Sequence, residues 1–162
     1  MITGVYGTSG EEITVIVTTE EKRIDTSVSK TQIRLLFKFT NDMTKEVKYA
    51  YGQEQMIKDR YTQLEFYQYG LDSVFLGRVD FKPFGFWKYE IYEVSYNGTV
   101  PTMSASNTPQ TEPDTADTPT GIYGTVKGKV EEGKLYIQEK AGEEQVKYTK
   151  HTTTETNYLY TN

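Results

Sequence analysis

Hydrophobic positions along this chain recur mostly with a period of two, in short runs separated by Gly, Pro, Asn and Asp, and such runs predict β-strands. The densest run is Phe84-Gly85-Phe86-Trp87-Lys88-Tyr89-Glu90-Ile91-Tyr92-Glu93-Val94-Ser95-Tyr96. Trp87, Tyr89 and Ile91 point one way; Phe86, Tyr92, Val94 and Tyr96 point the other, with Lys88 and Glu90 interrupting the second set. A strand apolar on both faces needs cover on both sides. It is expected either at the centre of a layered β-domain or with one face left for another molecule to bury.

The remaining runs are weaker. Residues 13–19 and 32–40 predict strands, the second with Ile33, Leu35, Phe37 and Phe39 on one face and Gln32, Arg34, Leu36 and Lys38 on the other. Only Leu36 breaks that alternation. Asn41-Asp42 predicts a turn, because both side chains bond readily to nearby backbone. Residues 46–51 form the next strand, with Val47, Tyr49 and Tyr51 together, while 53–59 read as a loop or short helical turn. Strands follow over 61–69 and 73–82, and Pro83, which has no amide hydrogen, marks a bend, an edge or a bulge.

Composition changes sharply between 98 and 121, where Pro101, Pro109, Pro113 and Pro119 are four of the five prolines and stand among Thr, Ser, Asn and Asp. Such a stretch buries too little apolar surface to offset its ordering entropy, so an extended, flexible insertion is expected. Beyond it, residues 122–130 and 134–140 read as a hairpin around Glu131-Glu132-Gly133. A second turn at 141–144 leads into 145–150. The ends read as arms, over 1–12 and 151–162, the latter carrying the apolar plug Tyr158-Leu159-Tyr160. Many short strands with little helical periodicity predict one all-β domain, an immunoglobulin-like antiparallel β-sandwich with extended arms.

Composition narrows the function. At 162 residues one domain is expected, and aromatic residues make up 14% of it, with 14 Tyr against 7 Phe and a single Trp. Tyr suits half-buried strands and protein interfaces. A net charge of -5 supplies no positive field for a polyanion, so no nucleic-acid partner is expected. Cysteine is absent, which removes disulfides, thiolate metal sites and a cysteine nucleophile. No signal peptide and no apolar run of membrane-spanning length is seen, so neither secretion nor a membrane partner is expected.

Candidate chemistry is sparse. His151 is the single histidine and lies in a Thr-rich stretch. The pairs Glu11-Glu12, Glu20-Glu21, Glu131-Glu132 and Glu143-Glu144 would face opposite ways on strands, which is poor geometry for two-carboxylate catalysis. Gly4, Gly7 and Gly10 are followed by no basic residue or helix start that would make a phosphate cradle. Asn97-Gly98-Thr99 reads as a turn. No catalytic residue, cofactor or metal is expected. The aromatic set Tyr49, Tyr51, Tyr67, Tyr69, Trp87, Tyr89, Tyr92 and Tyr96 favours packing and interface roles over stacking on sugars.

The succession Leu35-Leu36-Phe37-Lys38-Phe39-Thr40-Asn41-Asp42, Arg60-Tyr61-Thr62-Gln63-Leu64-Glu65-Phe66, Gly85-Phe86-Trp87-Lys88-Tyr89-Glu90-Ile91-Tyr92-Glu93 and Gly133-Lys134-Leu135-Tyr136-Ile137 resembles small all-β virion proteins of tailed bacteriophages, including those of crAss-like phages. The resemblance is one of style and order over roughly residues 30–150, without a diagnostic motif. It implies a non-enzymatic structural protein present in many copies, an auxiliary or decoration protein bound to the major capsid protein or neighbouring subunits of a particle assembled in the host cytoplasm. A head-tail connector, a tail or fibre component, or a glycan-binding adhesion module is the alternative. The interface candidates are Trp87, Tyr89, Tyr92, Tyr96, Tyr158, Leu159 and Tyr160.

Overall fold

The computed structural model describes residues 2–6, 11–58, 60–112, 119 and 121–139; the expected turn and strand over 141–150 and the plug Tyr158-Leu159-Tyr160 lie outside them. The described residues form nine strands: β1 (Ile2–Tyr6), β2 (Glu12–Val17), β3 (Ile33–Asn41), β4 (Val47–Tyr51), β5 (Gln53–Ile57), β6 (Thr62–Gln68), β7 (Arg78–Val79), β8 (Gly85–Tyr96) and β9 (Gly124–Glu139). One sheet runs β1-β9-β8-β3-β4 and the other β2-β6-β5, with β7 also paired to β6. Pairing is antiparallel except for β1 with β9 and β6 with β7. The order is that of an immunoglobulin-like sandwich, in which strands B, E and D (β2, β6, β5) face G, F, C and C′ (β9, β8, β3, β4).

The chain passes between sheets at one residue. β4 belongs to the larger sheet and β5 to the smaller, and only Gly52 separates them. A Cβ at Gly52 would stand 2.7 Å from Leu64 Cβ, so the absence of a side chain lets the crossing strand lie against β6. Because β4 pairs with β3 only over residues 36–40, the edge of β3 at residues 33–35 is left without a strand neighbour on that side.

The inner faces of the two sheets make the main core. Ile13, Val15 and Val17 of β2 and Leu64 and Phe66 of β6 meet Ile33, Leu35, Phe37 and Phe39 of β3 and Trp87, Tyr89 and Ile91 of β8. Rings meet edge to face, at 4.8 Å between Phe37 and Phe66 and 5.5 Å between Phe81 and Trp87. Trp87 Nε1–H donates to the Pro83 carbonyl (3.2 Å), which also accepts from Asn41 Nδ2–H (3.1 Å), so the bend at Pro83 is tied to both β3 and β8. Asn41 Oδ1 accepts from the amides of Met43 and Thr44, the side-chain turn expected there.

Several local expectations are corrected. Residues 53–59 carry a strand, β5, because the free edge of β6 supplies a ladder that no sequence periodicity announces. Instead of one strand over 73–82 there is a 3-10 turn, Val74–Leu76, closed by Gly77 at φ +62° and followed by the two-residue β7. The hairpin around Gly133 is absent, and β9 runs unbroken for 16 residues. Gly133 lies opposite Tyr89, and a Cβ there would fall 2.4 Å from the Tyr89 hydroxyl, so this glycine makes room for a cross-strand ring and not for a turn. Within the segment 1–12 expected as an arm, residues 2–6 pair as an edge strand on β9 and residue 12 opens β2.

Candidate functional site

The outer face of the larger sheet carries the second apolar row of β8. Leu36, Tyr51, Val94 and Tyr96 form a separate buried cluster there, joined by Val100 and Met103. Those last two belong to the Pro-rich insertion, which is therefore folded over 98–112 and not the extended segment expected. Its composition does not predict this order; the sheet beneath supplies the missing apolar surface and the hydrogen-bond partners. Tyr51 O–H donates to the Pro109 carbonyl (2.7 Å), the Tyr96 hydroxyl and Thr108 Oγ1 share a hydrogen bond (2.8 Å), and Gly124 N–H donates to the Asn107 carbonyl (2.8 Å). Thr108 is fully buried. Burial raises the pKa of both Tyr51 and Tyr96, keeping their hydroxyls protonated.

Where this strap ends, charge takes over. Glu112 pairs with Lys38, and Lys38 lies 3.8 Å from Glu90. Glu90 also meets Lys88 (3.2 Å) and Lys129 (3.3 Å), both of which pair with Glu132. Burial would raise the carboxyls of Glu90 and Glu112, but hydrogen bonds from Lys88 and Lys129 to the one, and from Lys38 and Tyr49 to the other, outweigh it and hold both below the usual range. Past this ladder, Lys134 pairs with Asp42, and the rings of Phe86 and Tyr136 sit 4.8 Å apart with Phe86 51% exposed. The outer face is thus closed at one end by the strap and open at the other on an aromatic pair.

The segment joining β2 to β3 is fastened to the far end of β8. Glu93, almost fully buried, accepts from the amides of Ile24 (3.0 Å) and Asp25 (2.7 Å). Asp25 in turn accepts from Ser27 and Ser95 and pairs with Lys127 (3.3 Å), and the two serine hydroxyls hold its carboxyl well below the ordinary value. Strand periodicity puts Glu93 among the polar positions of β8 and does not reveal this role.

A third feature lies at the corner where β4 leaves the sheet. A cavity of about 420 Å³ is walled by Phe75, Leu76, Val100, Pro101 and Met103, with Arg34 facing it from β3. The clue in the sequence was alternation, since Arg34 shares a face with Leu36, the residue that broke the pattern.

Of the predicted interface residues, Trp87 and Tyr89 go to the core between the sheets, Tyr96 goes under the strap, and Tyr92 is half-buried beside Glu112. Of the wider aromatic set, Tyr51 is also buried, while Tyr49, Tyr67 and Tyr69 are half-buried. Phe86 and Tyr136, which were not singled out as interface candidates, form the aromatic pair at the open end. Among the described residues, no group of three His, Cys, Asp or Glu side chains is placed to hold a metal ion. No family model, no curated protein and no solved structure matches the chain.

Proposed function

We propose that the chain is a non-enzymatic structural subunit of a phage particle, an auxiliary protein that binds neighbouring virion subunits through the open half of its outer sheet face. One observation carries the reading. A five-stranded sheet presents an aromatic pair, exposed Phe86 against half-buried Tyr136, beside a charge-balanced row of three lysines and three glutamates, Lys38, Lys88 and Lys129 with Glu90, Glu112 and Glu132. An aromatic centre with a charged rim suits a protein interface, and many symmetric copies turn a weak contact into a firm one. The particle enters the reading through the sequence resemblance, in the style and order of four segments, to small all-β phage virion proteins.

The test is incorporation. The tagged protein is expected to co-purify with intact particles, and the double substitution Phe86→Ser, Tyr136→Ser is expected to lower its copy number at least tenfold while its melting temperature stays within a few degrees. Absence from purified particles overturns the virion reading, and undiminished incorporation of the double variant overturns this face as the contact.

A further inference from the structure

The corner cavity stands apart from the open sheet face and does not depend on the particle reading. Its volume, about 420 Å³, falls within the range of roughly 300–1,000 Å³ usual for small-molecule sites. It exists because the chain changes sheets at Gly52: β4 departs, the β3 edge at residues 33–35 is left open, and the strap residues 100–103 together with Phe75 and Leu76 wall the gap without filling it.

Arg34 gives the cavity its chemistry. Its Nη1 donates to the carbonyls of Ile33 (2.9 Å) and Thr31 (3.3 Å), which anchors the guanidinium, and its Nη2 and Nε have no partner among the described residues. No described carboxylate pairs with it. Among the described residues Arg23, Arg60 and Arg78 likewise pair with no carboxylate; what sets Arg34 apart is its place on the wall of this cavity. Burial opposes the charge on Arg34, lowering its pKa, and a partly buried cation without a counter-charge is costly. The free Nη2–Nε edge is the fork that grips a carboxylate by two parallel hydrogen bonds.

We propose that the corner cavity is a binding site for a carboxylate carried on an apolar body, with Arg34 holding the carboxylate and Phe75, Leu76, Val100 and Met103 receiving the hydrocarbon. Among the described residues Arg34 is the only cation on the cavity wall, which favours a monoanion over a phosphate with its higher charge. Two sources carry this chemistry: a small free acid, or the C-terminal end of an extended peptide with an apolar last residue.

The experiment titrates the isotope-labelled full chain, followed by amide NMR, with four probes: 3-phenylpropionate, 3-phenylpropanamide, the peptide acetyl-Gly-Gly-Leu with a free carboxylate, and the same peptide amidated. Saturable shifts at Gly52, Leu76, Thr102 and Met103 are expected with at least one acid, at least tenfold tighter than with its amide. Arg34→Gln is expected to weaken that binding at least tenfold. Leu76→Glu, at a position 50% exposed, places a carboxylate in the cavity on a side chain the fold tolerates, and is expected to block the acid to the same degree. Binding by phenylpropionate alone identifies a free acid, and binding by the peptide acid alone identifies a chain end. Equal affinity for acid and amide, no saturable shift with either acid, or unchanged binding in Leu76→Glu overturns the site.

Discussion

The two faces of β8 are both buried, yet they are buried by different means. Trp87, Tyr89 and Ile91 are covered by a second sheet whose own alternating residues interdigitate with them. Tyr96 and Val94 are covered by a connecting segment rich in Pro, Thr and Ser, whose described residues include Val100 and Met103 as apolar cover and hold on besides through hydroxyls and carbonyls. The inner face is stabilised chiefly by removing hydrocarbon from water. The outer face depends more on hydrogen bonds, whose net worth is smaller and whose loss leaves a buried group unpaired. Two covers of such different kinds should come off under different conditions.

The largest effect expected is on the inner face. Trp87→Ala removes a fully buried indole and leaves its space between the sheets, at a cost of about 3–5 kcal/mol in global stability measured by urea unfolding. A cost below about 1 kcal/mol would mean that this face is not the core. On the outer face, Tyr51→Phe deprives the Pro109 carbonyl of its donor at a cost of about 1–3 kcal/mol. Its signature should be local. Amide hydrogen exchange should rise over 98–112 well before it rises in β3 and β8, whereas an equal rise in both would show that strap and sandwich open as one unit and that the contrast between the faces is only chemical.

The smallest effect is electrostatic. Glu112 has its folded-state pKa depressed, because the hydrogen bonds from Lys38 and Tyr49 outweigh burial. A depressed carboxyl contributes stability that is fully present above its ordinary value of 4.5 and is lost as pH falls through the lower folded-state value. Exchange protection of the strap should therefore fall on acidification below about pH 4.5 in the parent chain. In Glu112→Gln it should be weaker already at neutral pH, by about 1 kcal/mol or less, with a shallower acid response. An identical acid response in the two proteins would remove Glu112 as the clasp of the strap.

The legible parts of the fold are those where the pattern is strong. β3 and β8 could be drawn from alternation, including the one residue, Leu36, that faces away from its neighbours and belongs to the outer cluster. β5 could not. Gln53–Ile57 has no alternating apolar set, and it is a strand because the edge of β6 is there to pair with it. Gly133 misled for a related reason: a glycine between two strand-like runs reads as a turn, but the ring of Tyr89 needs the space that a missing Cβ leaves, and that ring arrives from a residue 44 positions away.

The sites divide the same way. That β8 would be covered on both faces was readable, while the identity of the cover was not, because a Pro-rich segment of low apolar content folds only where a sheet supplies the rest of its contacts. Arg34 could be placed on the outer face from the sequence, but its want of a counter-charge depends on which carboxylates the fold brings near, and none of those described is brought to it.

By itself the chain determined an all-β sandwich, a two-faced central strand, a net negative charge and the want of cysteine, because side-chain period, composition and charge are local properties that survive any arrangement. The tertiary structure alone decided that the strap closes one half of the outer face, that Phe86 and Tyr136 meet on the other, and that a sheet change at Gly52 opens a cavity in front of Arg34. Each of these depends on contacts between residues far apart in sequence.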